Sequence, residues 1–346
     1  GTHGKTTTST LVSWLNCAAA GEGSAFLGGV SKNFDSNLVL GQGGRLAVEA
    51  DEFDRSFLQL NPNVAVVTSA DADHLDIYGT HEAVKEAFSQ FIDRICAGGS
   101  LVIKRGVDVA IRNSEISVYS YSFDQQADFY ATNITLLPTG HYTFDVVTPF
   151  GTIEGCTLGI PGWVNVENAV AAVALFILAA KAEGKEVDNN ALRSALASFS
   201  GVKRRFEFYV NTPKAVYMDD YAHHPRELSA AITSVKRMFP ERKLTAIFQP
   251  HLYTRTRDLY EEFAQALSLA DQVVLLPIYP ARELPIEGIC SQIIADRVTV
   301  KCTIVEREQI AQWLTESDTD VVVSFGAGNI DAYCQAMAEV IEAKSR

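Results

Sequence analysis

Residues 1–10 read GTHGKTTTST, and the interpretation of Gly4-Lys5-Thr6 decides the fold. Gly-Lys-Thr closes a phosphate-binding loop, in which backbone N–H groups and a lysine cradle phosphates while a threonine hydroxyl reaches Mg²⁺. In isolation the tripeptide reads equally as a glycine-rich helix start without a ligand. The sequel favours the loop. A helix with Leu11, Leu15 and Ala18 on one side begins at once, so its N-terminal N–H groups and dipole face Gly1, Thr2, His3, Gly4, Lys5, Thr6 and Thr7. Such a loop is entered from a β-strand, and no residue precedes Gly1, so the expectation is a chain that starts inside its phosphate loop.

Two acidic clusters follow apolar runs. VEADEFDRSF (48–57) continues the β-branched run RLAVEAD (45–51), with Glu49 expected inside a buried parallel strand. A carboxylate there needs compensation, which Mg²⁺ would supply, whereas Asp51, Glu52 and Asp54 read as a solvated strand end. TSADADHLDIYG (68–79) follows the run at 63–70 and puts Asp73, His74 and Asp76 beyond a strand C-terminus, where α/β sheets hold ligands. Lys5, Thr6, Glu49 and His74 together suggest a site for ATP and two Mg²⁺ ions.

Working outward, a helix over 81–100 is expected to end at its Gly pair, followed by a strand at 101–104. Residues 127–160 alternate large and polar side chains, as antiparallel strands do. Helices at 165–183 and 189–198 close this unit, and FSGVKRRFEF (199–208) marks the boundary between domains 1–200 and 201–346. Beyond it, strands at 215–220, 243–248, 272–276, 301–305 and 320–325 alternate with helices at 226–238, 256–269, 287–296, 307–315 and 330–343. The fold class is α/β: a central phosphate-loop domain with a mostly parallel sheet and added antiparallel strands, then a doubly wound, Rossmann-like domain.

At 346 residues, two domains are the natural division. The net charge of −13 argues against a nucleic-acid partner, though not against a nucleotide. Six scattered cysteines without a Cys-x-x-Cys pair have the look of reduced thiols in a cytoplasmic protein. No run reaches about 18 uninterrupted apolar residues, so no membrane partner is expected, and AVAAVALFILAA (169–180) reads as a buried helix.

The second domain has its own cluster. MDDYAHHPRE (218–227) ends one strand with Asp219, Asp220, His223 and His224. FQPHLYTRTRD (248–258) ends the next with His251, Tyr253, Arg255 and Arg257. Zinc is a competing reading, but adjacent His223 and His224 do not easily share one ion, and Arg255 suits a carboxylate or phosphate. SFGAGNID (324–331) reads either as an anion-binding helix start or as a tight strand–helix turn.

GTHGKTTT, VEADEFDRSF, DADHLDIYG, PGWVNVENAVAA, FSGVKRRFEF, DDYAHHPRE, FQPHLYTRTRD, YPARELPIEGI and FGAGNID occur in the order found in the Mur ligases of peptidoglycan synthesis. The chain resembles that family from Gly1 to its last helix. The H-H-P and F-Q-P-H-x-Y-T-R-T motifs resemble the branch that joins L-alanine to UDP-N-acetylmuramate. The resemblance implies an ATP- and Mg²⁺-dependent amide ligase whose UDP-binding first domain is absent here, so the chain alone is expected to bind ATP·Mg²⁺ weakly and not to ligate. Alternatives are the ligase that recycles a tripeptide onto UDP-N-acetylmuramate, and a non-catalytic nucleotide-binding module.

Carried over by resemblance, Lys5 contacts the β/γ-phosphates, and Thr6, Glu49 and His74 hold metal. Asn165, Asn168, Arg205 and Asp220 match nucleotide contacts. His223, His224, His251 and Arg255 lie where the family handles the muramyl carboxylate and the incoming amino acid, with Lys5, His74, Asp220, His224 and Arg255 as the catalytic set. The sequence departs from the family at Ser69 (usually Asn), Val164 (His), Leu252 (Arg) and Arg282 (Gly). Several members carry a carbamylated Lys where this chain has Ser89-Gln90, so no carbamate is expected.

Overall fold

The computed structural model describes residues 1–71 and 75–345. It divides into two compact units, Gly1–Lys203 and Arg204–Arg346. Unit 1 begins with α1 (Lys5–Ala20), which starts after Gly4 in the left-handed region (φ 80°) and stops at left-handed Gly21. Then come β1 (Ser24–Ser31), β2 (Ser36–Val39), β3 (Leu46–Val48), β4 (Val64–Val67), α2 (Leu75–Tyr78), α3 (His81–Asp93), β5 (Ser100–Lys104) and β6 (Ser117–Ser122). β7 (Phe129–Leu136), β8 (Tyr142–Thr148), β9 (Gly151–Thr157), α4 (Trp163–Ala182) and α5 (Asn189–Ser198) complete it.

Strands β4 to β9 form one mixed sheet in sequence order. β4 to β7 pair in parallel, and β8 and β9 add antiparallel, as the alternation in 127–160 predicts. Helices α1, α4 and α5 share one core with this sheet, built on Leu11, Leu15, Val170, Phe144 and Phe129. A second core joins Phe57, Val84, Phe88 and Phe91 to Val67 and Leu101. Among the described residues α4 alone is long and apolar enough to cross a membrane, but most of it is buried in the first core.

Two expectations fail here. RLAVEAD is not a buried strand. β3 has three residues and pairs with β1 in a separate small sheet, ordered β2-β1-β3, with Leu46 55% exposed. Glu49 lies just past it, its N–H still donating to Phe26 O (2.9 Å). Helix α3, capped by Thr80, stops at Asp93 instead of running to the Gly pair, because Arg94 and Ile95 turn back onto Phe91 and Ile92.

Unit 2 runs β10 (Glu207–Asn211), β11 (Val216–Asp220), α6 (Pro225–Met238), β12 (Leu244–Phe248), α7 (Tyr253–Leu267), β13 (Gln272–Leu275), α8 (Gln292–Ala295), β14 (Lys301–Ile304), α9 (Ile310–Glu316), β15 (Val321–Phe325) and α10 (Cys334–Ser345). The sheet order is β10-β11-β15-β12-β13-β14, with only β10 antiparallel. Because β15 inserts between β11 and β12, helices cover both faces, α6 and α7 packing together on one and α9 and α10 on the other. The doubly wound expectation holds. The predicted helix 287–296 shrinks to the four residues of α8, and α10 starts later than residue 330, because a 3₁₀ turn (Asn329–Tyr333) precedes it.

Candidate active site

Local hydrogen bonds fix the loop that leads into α1. Ser69 Oγ accepts from His3 N (2.8 Å) and pairs with Thr2 Oγ1 (2.8 Å), while Thr68 Oγ1 donates to His3 O (2.5 Å). His3 Nε2 lies 3.4 Å from Asp71. The residues just past β4 thus clasp the loop, and Ser69, noted in the sequence only as a departure, supplies two of those bonds. Asn168 backs the loop from α4: a Cβ on Gly4 would sit 2.7 Å from its Oδ1, so glycine is required there by space as well as by φ. Asn168 Nδ2 donates to Asn165 Oδ1 (3.3 Å), and Asn165 Nδ2 to Pro161 O (2.6 Å), so this buried pair on α4 is braced against the segment just before the helix. Thr7 is buried in the first turn of α1.

Glu49 is met by three donors. Thr6 Oγ1 lies 2.9 Å from Oε1, and Ser9 Oγ (3.2 Å) and Gly28 N (2.7 Å) donate to Oε2. A Cβ on Gly28 would come within 2.4 Å of Glu49 Oε1, so glycine lets β1 approach. Asp73 and His74 lie outside the described residues, as does the side chain of Asp76. Thr6 and Glu49 offer hard oxygens side by side, which suits Mg²⁺, an ion that keeps several waters and takes one or two protein oxygens. Among the described residues no cluster of three or more His, Cys, Asp or Glu is placed to hold a metal ion.

Lys5 Nζ donates 2.8 Å bonds to both carboxylate oxygens of Glu52, which is 1% exposed. The expectation of a solvated Glu52 is thereby overturned. Asp51, exposed and 3.8 Å from Lys5, fits it better.

In unit 2, Asp220 ends β11 and is buried. It accepts from Phe206 N and Ala222 N (both 2.9 Å), which ties the segment carrying Arg205 to the strand. Burial pushes its carboxyl up to about 6, against Arg205 and these two bonds. Arg205 stacks over Tyr221. Its neighbour Arg204, absent from the sequence-derived site, bonds Asp219 (2.9 Å) and the carbonyls of Gly326 (2.6 Å) and Gly328 (3.3 Å). With those carbonyls turned to Arg204 and Ile330 N donating to Gln249 Oε1 (3.0 Å), FGAGN is a tight turn into a 3₁₀ segment.

His224 caps α6: its ring accepts from Arg226 N, and Glu227 completes the box. His223, His251 and Arg255 come together. The two imidazoles are 6.2 Å apart, His251 stacks on Tyr279 (5.7 Å), and Arg255 Nη1 lies 3.5 Å from His251 Nδ1. Since arginine only donates, this nitrogen accepts and the ring is neutral. Burial pushes both His223 and His251 down to about 4, with Arg255 adding to the effect on each. Both are therefore expected to stay neutral from pH 8 to about 5 in imidazole NMR titrations, with midpoints near 4. Between pH 6.5 and 4 the unfolded rings bind protons that the folded rings refuse, so their contribution to stability is lost as pH falls. Asp220 acts oppositely, its contribution fading as pH rises from 3.8 through about 6.

Residues 1–176 match the Mur ligase middle domain model, and residues 204–328 match the model of the Mur ligase glutamate ligase domain. The UDP-N-acetylmuramate–L-alanine ligase of Parabacteroides distasonis is 47% identical over 344 residues, covering 99% of this chain and 73% of the relative. That of Porphyromonas gingivalis is 48% identical over 336 residues, covering 96% and 72%. The solved UDP-N-acetylmuramate-alanine ligase of Thermotoga maritima matches with a TM-score of 0.79 at 25% identity, over 99% of this chain and 74% of that one. The folylpolyglutamate synthase of Mycobacterium tuberculosis, solved with ADP and AMPPCP, shares the fold (TM-score 0.73, 16% identity, 97% and 88% covered).

Proposed function

Because the chain belongs to the Mur ligase family, we propose that it carries the ATP and amino-acid sites of an amide ligase joining L-alanine to the lactyl carboxylate of UDP-N-acetylmuramate. One observation carries the reading: Lys5, Thr6 and Glu49 converge on a clasped phosphate loop in a chain whose near relatives bear that name. In this reading the lactyl carboxylate attacks the γ-phosphorus of ATP, ADP departs, and an acyl phosphate forms. The alanine amine then attacks the acyl carbon, and phosphate leaves from a tetrahedral intermediate.

The protein's share is positioning and charge. Lys5 neutralises the β/γ-phosphates, and the backbone N–H groups of Gly4 to Thr7 face them. Thr6 and Glu49, with His74, would hold Mg²⁺, whose chemistry here is charge neutralisation on phosphate. Arg205, stacked on Tyr221, and the Asp220-tied segment serve the nucleotide. Arg255 takes a substrate carboxylate, and the neutral His223 and His251 beside it leave the incoming ammonium group unrepelled, though burial makes both rings too weakly basic to deprotonate it. Asp219 and His224, bound to Arg204 and to the α6 N-terminus, are held in structural contacts.

The test is ADP release from ATP and UDP-N-acetylmuramate in a protein of the relatives' full length. Release should require L-alanine, and release driven by a tripeptide instead would overturn the assignment. The 346-residue chain alone should bind nucleotide without ligating.

A further inference from the structure

Glu52 has no role in the proposed reaction, yet its geometry with Lys5 bears on how a phosphate reaches the loop. An ammonium has three protons, and Glu52 takes two of them, one on each oxygen at 2.8 Å. Glu52 is nearly inaccessible, and its position is over-determined. Tyr78 Oη donates to its carbonyl (2.6 Å) and Arg55 stacks over the Tyr78 ring (5.2 Å). Asp54 and Arg55 are both in the left-handed region (φ 53° and 57°), a strained conformation for such residues. A turn built against backbone preference therefore holds a buried carboxylate on the one lysine of the phosphate loop.

We propose that Glu52 is a positioning residue, a resident anion with which the terminal phosphates of a nucleoside di- or triphosphate compete for Lys5, so that binding is an exchange of anions. The proposal rests on the phosphate-loop reading of residues 1–7. A phosphate that draws Lys5 away leaves Glu52 buried with its charge uncompensated, which opposes binding and favours release of the spent nucleotide. Glu52 also fixes the position of the lysine ammonium before the ligand arrives.

The test is calorimetric titration of the 346-residue chain with ADP in EDTA, so that neither turnover nor metal enters. Glu52→Gln should bind ADP about tenfold more tightly than the parent, since the competing charge is gone. Glu52→Asp, one methylene too short to meet Lys5 with both oxygens, should bind more tightly by a smaller factor. Circular dichroism checks the fold, and if Glu52→Gln does not fold, Glu52→Asp decides alone. Unchanged or weaker binding in the folded variants overturns the proposal, and a purely structural Glu52 would give that result. Lys5→Ala in the Glu52→Gln background separates the two readings. If it binds ADP as tightly as Glu52→Gln alone, the phosphate-loop assignment fails. If it loses affinity while Glu52→Gln matches the parent, only the exchange fails.

Discussion

Glu49→Gln is expected to lower ligase turnover by roughly 10²–10³-fold, the scale found when one preorganised electrostatic partner of a transition state is removed. The substitution keeps size and shape but changes two things. It deletes the charge that would offset a bound cation, and it places an amide N–H₂ where the structure needs an acceptor. Oε2 accepts from both Gly28 N and Ser9 Oγ, and Oε1 from Thr6 Oγ1. The two hydroxyls can rotate to accept, but Gly28 N–H cannot. Either β1 withdraws from Glu49, or the amide turns its N–H₂ toward Thr6, the other proposed metal oxygen. In both cases the Mg²⁺ concentration for half-maximal rate should rise, and extra Mg²⁺ should recover part of the loss. Ser9→Ala, which removes only an outer partner of Glu49, should cost about tenfold or less. Steady-state rates across a Mg²⁺ series check both, and a Glu49→Gln rate within threefold of the parent at every concentration would remove Glu49 from the metal site.

What could be read in advance follows how local each signal is. The turn at Gly4 and the start of α1 were legible because a glycine, a lysine and a helix start are consecutive. In unit 2, β11, β12, β13 and β15 were legible because each is buried on both faces and so reads as a mostly apolar run, as in Val321–Phe325, whereas β10, only partly buried and carrying Glu207 and Asn211, was not foreseen. Nor was the small sheet. β1 contains Gly28 and Gly29, β3 has three residues, and Phe26, opposite both Leu38 and Val48, is 53% exposed though as apolar as its buried neighbours, so the burial alternation of β1 has no polar–apolar counterpart in the sequence. Within the site, Glu52 and Asp51 are adjacent acids with the same local signal. Only the fold, by turning the chain at Asp54 and Arg55, buries one on Lys5 and leaves the other in water. His223 and His224 diverge likewise: Pro225 starts α6, which makes His224 its cap and leaves His223 beside His251.

The Lys203-Arg204-Arg205 run hides a similar asymmetry, and it carries a large expected effect on stability. Arg204→Ala should destabilise unit 2 by about 3–5 kcal/mol, the range for removing one partner of a buried ion pair. Asp219 is 0% exposed, with one carboxylate oxygen on Arg204 (2.9 Å) and the other on Ser324 Oγ (2.6 Å). Without the guanidinium that charge has no cation, and the carbonyls of Gly326 and Gly328 lose their donors as well. The turn between β15 and the 3₁₀ segment should then loosen, held by the Gly326 N–H bond to Asp220 O and by Gln249 and Arg307 through Asn329 and Ile330. Arg205→Ala, which removes a side chain lying over Tyr221, should shift stability by no more than about 1 kcal/mol, as surface changes do, and act instead on nucleotide affinity. Denaturant unfolding of the two variants, followed by a probe in unit 2, gives the comparison. Equal midpoints for Arg204→Ala and the parent would show that Asp219 finds another partner or a proton. Replacing the pair together, as Arg204→Met with Asp219→Asn, should restore part of the loss, since the charge that needed compensation is then gone.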